Sequence, residues 1–145
     1  MFVTRGEQCL RLTRDSYQEI SVLQTNQEEA DIRLLQNARH ASEQFSTLIF
    51  VTDDTDVFVI TLCLCSDIRG KFFIRQGTKT HTRLINITKL ASLLGREVCS
   101  ALPGLHAWTG CDTVSSLLGH GKVMALKIIL QNQKYREVFS SLGLE

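Results

Sequence analysis

Short apolar runs set off by polar stretches dominate the first third of the chain. Residues 8–13 (QCLRLT) and 18–23 (QEISVL) read as two short strands with polar residues between them. In the following Thr25-Asn26-Gln27-Glu28-Glu29, either Thr25 with Glu28 or Asn26 with Glu29 can form a capping box. The helix started there is expected to run to about residue 44, with Leu34, Ala38, Ala41 and Phe45 recurring on one face. TLIFV (47–51) is almost wholly apolar, the signature of a parallel strand buried on both sides. It ends abruptly in Asp53-Asp54-Thr55-Asp56. The VFVITLCLC that follows fits strand or helix by pattern alone, and the acids ahead of it favour helix because they stabilise the exposed amides of a first turn.

Residues 71–76 and 83–87 predict two further strands around Gly77. Thr88 is expected to cap a helix that runs through Leu94 and stops at Gly95. A helix over 97–108 should begin a new segment or kink at Pro103, the one proline of the chain. Gly110-Cys111-Asp112 breaks it, and Gly119-His120-Gly121 separates a short helical piece from a strongly apolar final helix over 122–130. Strands alternating with helices predict an α/β layered fold, and 145 residues suit one domain with a real core.

Composition narrows the partners. Sixteen basic and fifteen acidic residues leave a net charge of +1, so the whole-molecule field does not favour nucleic acid and a local basic patch must meet any such partner. Arg69, Lys71, Arg75, Lys79, His81 and Arg83 surround the 71–87 hairpin; they could track phosphates, although charge that defends a solvated edge hairpin is the simpler account. The five cysteines are odd in number and include no CxxC, which points to reduced thiols of an intracellular protein, nuclear or cytoplasmic, rather than to zinc. The N-terminus carries no apolar signal core, and the longest apolar run is too short to span a bilayer. Phe72 and Phe73 must point to opposite faces of a strand, with at least one in the core; His106 and Trp108 read as packing residues.

The acids are the candidate chemistry. Asp31 falls on the Leu34/Leu35–Ala38 stripe of its helix, where a carboxylate is costly unless paired or metal-bound. Asp54 and Asp56 follow a buried strand, and ligands of α/β sheets collect at the carboxyl ends of strands. Two acids two residues apart at such a turn can both lean toward one hard cation. Each acid also has a plainer use: Glu28 or Glu29 in a capping box, Asp53 or Asp54 as an N-cap with Asp56 solvated, Asp112 as another N-cap.

Taken in order, Glu29-Ala30-Asp31, Asp53-Asp54-Thr55-Asp56 and Gly110-Cys111-Asp112 resemble the acidic series of flap endonucleases and their PIN-like relatives. Gly119-His120-Gly121-Lys122 with VMALKIIL is similar to the glycine turn and helix of that family's helix-two-turn-helix element, and INITKLASLLG to the strand and helix before its Gly-x-Asp segment. The likeness spans about residues 28–130. It implies a PIN-like layered fold with a mainly parallel central sheet flanked by helices, ending in a helix-turn-helix-like element. It further implies a two-metal phosphodiesterase acting on DNA or RNA. Asp31, Asp54, Asp56 and Asp112 would then be catalytic ligands of Mg²⁺ or Mn²⁺, Glu29 an outer or further ligand, and Gly119, Gly121 and Lys122 a backbone-phosphate contact.

The likeness is absent at the front. Nothing before Gln27 matches the family's first central strand, with its acidic ligand, or the long insert that follows. A partial member is implied, one that lacks an N-terminal region or relies on a protein partner. Two readings follow: a metal-dependent nuclease, or a non-catalytic remnant derived from a larger gene or mobile element that binds nucleic acid or protein. A phosphoacceptor using Asp54 or Asp56 fits least, since no lysine follows a later strand in the place it would need.

Overall fold

The computed structural model describes residues 2–5, 8–12, 14–23, 30–78, 80–110 and 122–142. The chain divides into two compact units, Met1–Ser46 and Thr47–Glu145. No helix among the described residues is long and apolar enough to cross a membrane.

The first unit is an antiparallel meander followed by a helix. Strands β1 (Phe2–Arg5), β2 (Gln8–Leu12) and β3 (Tyr17–Glu19) pair in that order, with Val3 opposite Leu10 and Leu10 opposite Glu19. The strand expected over 18–23 therefore stops early, and Ser21–Leu23 closes into a 3-10 turn through a bond from the Leu23 amide to the Ile20 carbonyl (3.0 Å). Helix α1 covers Ala30–Ser42, and the capping-box residues expected before it lie outside the described residues. Its buried stripe is Leu35, Ala38 and Ser42, so the expected stripe is shifted by one position: Leu34 and Ala41 are half-buried and Phe45 is exposed beyond the helix end.

The second unit is α/β, with a mixed sheet. Strand β4 (Thr47–Val51) runs parallel to β5 (Lys71–Gly77), which pairs antiparallel with β6 (Thr82–Asn86), in the order β4-β5-β6. Among the described residues only β4 and β5 are parallel, so the expected mainly parallel sheet is replaced by two three-stranded sheets, one antiparallel and one mixed. The expected two-sided burial of β4 is also overturned. Phe50 is buried and stacks on Phe72 with centroids 6.0 Å apart, but Ile49 and Val51 on the other face are 55% and 71% exposed. An all-apolar run tells that a strand is covered without telling how many of its faces are.

Five helices complete this unit among the described residues: α2 (Thr55–Leu64), α3 (Ile87–Leu94), α4 (Arg96–Trp108), α5 (Lys122–Gln131) and α6 (Gln133–Ser141). Asn86 rather than Thr88 caps α3, accepting from the Lys89 amide at 2.8 Å, because the Thr88 hydroxyl is taken up by the Phe72 amide across the sheet (2.8 Å). Gly95 ends α3 with φ +82°, the left-handed backbone that its position demands. Pro103 lies inside α4, and the helix continues on both sides of it. An interior proline costs about 3 kcal/mol, and the packing around it offsets that: Ala101, Leu102, Gly104 and Leu105 are all buried. Helix α6 has no counterpart in the expectations; it packs on α4 through Phe139 against Trp108, 5.6 Å between ring centroids. Arg136 of α6 donates to the Ile129 carbonyl (2.9 Å) near the end of α5, serving as a cationic cap.

Candidate metal centre at the end of strand β4

The turn between β4 and α2 is built by its own polar side chains. The Thr52 amide donates to the Arg75 carbonyl (3.2 Å), extending the ladder one residue past the strand. The Thr52 hydroxyl accepts from the Asp54 amide at 3.0 Å. Asp53 turns toward β5, where its Oδ1 accepts from the Gly77 amide at 2.6 Å. Asp54 adopts extended backbone angles (φ −71°, ψ 128°) and caps α2, its Oδ1 accepting from the Asp56 amide at 2.8 Å. Capping by Asp54 is thus one of the two expected alternatives, and Asp53 takes the hairpin instead.

Asp56, in the first turn of α2, is not merely solvated. Its Oδ1 lies 2.6 Å from Nε2 of His106 on α4, with side chains 30% and 12% exposed respectively. With Nε2 protonated, the imidazole donates and fixes the carboxylate's direction. Carboxylate oxygens of Asp54 and Asp56 lie within 4.8 Å of each other, close enough to share one cation. In each acid the bond that holds it uses Oδ1, which leaves Oδ2 for a ligand. Oxygen donors at this separation could hold a hard cation, and the amides of the α2 N-terminus offset part of their mutual repulsion.

Three cysteines, Cys63, Cys65 and Cys99, are free thiols among the described residues. Burial raises Cys63, Cys65 and Cys99 above the ordinary thiol range, reinforced by Asp67 for Cys63 and by neighbouring thiols for Cys99. They are therefore protonated, structural thiols at neutral pH, as the sequence leads one to expect.

The other expected site residues are distributed as follows. Asp31 stands in the first turn of α1, in the first unit, half-buried one helical turn before Leu35 as its spacing predicts, and it is engaged in an interaction of its own. Lys122 is the exposed first residue of α5. Glu29, Asp112, Gly119 and Gly121 lie outside the described residues.

His106, expected to be a packing residue, is instead the polar partner of Asp56. A signal for it existed. His106 lies four and seven residues beyond Leu102 and Cys99, both buried, so it continues an apolar stripe where an imidazole needs a partner, the same argument that marked Asp31. Trp108 does pack, on Phe139.

In comparisons with known proteins, no family model matches the chain, and neither a curated protein nor a solved structure matches it. The likeness to flap endonucleases therefore stands on the ordered sequence motifs alone.

Proposed function

We propose that the chain is a divalent-metal-dependent, nuclease-like phosphodiesterase domain that acts on DNA or RNA. The observation that supports this most is the Asp54-Thr55-Asp56 turn at the carboxyl end of a parallel strand, with one acid set by a helix cap and the other by His106. Asp54 and Asp56 are the ligands in this reading; the roles of Asp31 and Asp112 as ligands, and of Glu29 as an outer or further one, rest on the family resemblance alone. When bound, a pair of Mg²⁺ or Mn²⁺ ions activates water and neutralises charge on the phosphodiester. The protein's own part is to hold the carboxylates in place and to grip the backbone. Lys122, with Gly119 and Gly121, contributes a phosphate contact.

A second reading, a non-catalytic nucleic-acid-binding module, is favoured by one observation. Among the described residues no strand pairs with the other edge of β4, so the neighbouring acid-bearing strand of the flap-endonuclease pattern has no counterpart. Incubation of the purified chain with single-stranded and branched nucleic acid in Mn²⁺ separates the two. Cleavage abolished by Asp56→Ala while binding persists supports the enzyme; binding without cleavage supports the module; no binding at low salt removes both.

A further inference from the structure

The hairpin joining β5 to β6 reaches the same end of the sheet as the acidic turn, because β5 runs parallel to β4 with Arg75 paired to Val51. Between them lies an open cleft of about 400 Å³ lined by Asp53, Gln76, Gly77, Thr78, His81 and Arg83. Its hairpin wall is tied down. The His81 amide donates to the Thr78 carbonyl (3.2 Å), the Thr82 hydroxyl donates to the same carbonyl (2.9 Å), and the Thr78 and Thr80 hydroxyls are 3.2 Å apart. Gly77, at φ +104°, sits so close to the His81 carbonyl that a Cβ would collide with it. These bonds tie Thr78 to Thr80, His81 and Thr82, and leave Arg83 and His81 exposed at the cleft.

We propose that this cleft is a phosphate subsite for the backbone of a single nucleic-acid strand, with Arg83 the principal contact and His81 and the Thr78 hydroxyl as further donors. The inference rests on the nucleic-acid reading above and names where the strand enters the site. A planar, always-charged guanidinium beside a hydroxyl and an imidazole is a donor set matched to phosphate oxygens. Among the described residues Asp53 is the one anionic group lining the cleft; its Oδ1 is engaged by the Gly77 amide. A phosphate held here lies beside the turn that carries Asp54 and Asp56, so the subsite would present the next stretch of backbone to the carboxylates. The cations around this hairpin thereby gain a use beyond the defence of an edge.

Fluorescence anisotropy of the full chain with a labelled single-stranded oligonucleotide, in EDTA and across a salt series, tests the subsite. Arg83→Gln should weaken binding by up to about fivefold at low salt and make the log–log salt slope shallower by about 0.7, one single-strand phosphate contact. Arg83→Lys should keep the slope and recover only part of the affinity, since the forked geometry is lost. Lys134→Gln, on α6 and outside the cleft, should change neither. If the wild type binds but Arg83→Gln matches it in affinity and slope, the subsite is wrong while the nucleic-acid reading stands. Equal competition by a polyglutamate peptide would reduce the cleft to a generic cationic patch and also overturn it. Absence of wild-type binding at low salt removes the subsite together with the reading beneath it.

Discussion

The bond between Asp56 and His106 ties the first turn of α2 to the last turn of α4, and breaking it should register in both stability and metal affinity. A hydrogen bond to a charged group contributes about 1.5–3 kcal/mol when well buried. Here the imidazole is nearly covered but the carboxylate is 30% exposed, so water replaces part of the lost partner. About 1–2 kcal/mol remains as the coupling between the two side chains. Asp56→Ala, His106→Ala and the double variant form a cycle that removes packing losses common to each single change. Urea unfolding followed by the fluorescence of Trp108, the one tryptophan and only two residues beyond His106, gives the three free-energy differences. A coupling of about 1–2 kcal/mol is expected. Single changes that add to within about 0.3–0.5 kcal/mol would refute the bond. Partners that orient a metal-ligating group are worth about 10–100-fold in metal affinity, so His106→Ala should also weaken Mn²⁺ binding by a factor in that range. Unchanged Mn²⁺ affinity would leave His106 with a purely structural role.

Three further outcomes follow from the packing and from the thiols. Gly104→Ala should destabilise the chain by about 2–3 kcal/mol, seen as a lowered urea midpoint, because the added Cβ would drive into the Phe139 carbonyl and push α6 off α4; a midpoint within error of wild type would mean that α6 is not docked as described. Cys63, Cys65 and Cys99 should react slowly with iodoacetamide near neutral pH, since their raised thiol pKa values leave little thiolate. The same shift acts on stability. A thiol whose pKa is higher in the folded than in the unfolded chain favours the protonated, folded form, so this contribution is fully present below the unfolded pKa and is lost as pH rises through the folded one. Unfolding monitored from neutral to alkaline pH should show that loss, and its reduction in a Cys→Ala series.

The sequence was most informative where one local cause decides the outcome. TLIFV followed by clustered acids marked the β4–α2 unit, because an apolar run and an acidic first turn each act within a few residues. Gly95 as a helix stop, and a core role for at least one of Phe72 and Phe73, were legible for the same reason: a left-handed backbone and strand alternation are local demands; Phe72 is the buried one. Elements decided across the chain were not legible. Thr88 is an adequate cap by type, but an amide sixteen residues away competes for its hydroxyl. Helix α6, whose sequence QKYREVFSS is mostly polar, depends on Phe139 meeting Trp108 and Gly104. The open face of β4 depends on which elements cover the sheet, which no pattern within the strand records. His106 and Asp56 meet across fifty residues, so the site's best-defined bond was visible only as an imidazole in need of some partner.

The central claim, that the Asp54–Asp56 turn holds a divalent cation, is tested most directly by Mn²⁺ titration followed by electron paramagnetic resonance and by melting. Asp54→Asn/Asp56→Asn is the control, since asparagine can still cap α2 and still accept from His106. The wild type should take up Mn²⁺ saturably and gain about 2.7 kcal/mol of stability at a hundredfold excess over Kd, while the double variant should lose both effects. Identical Mn²⁺ uptake and identical melting of the two proteins would contradict the claim.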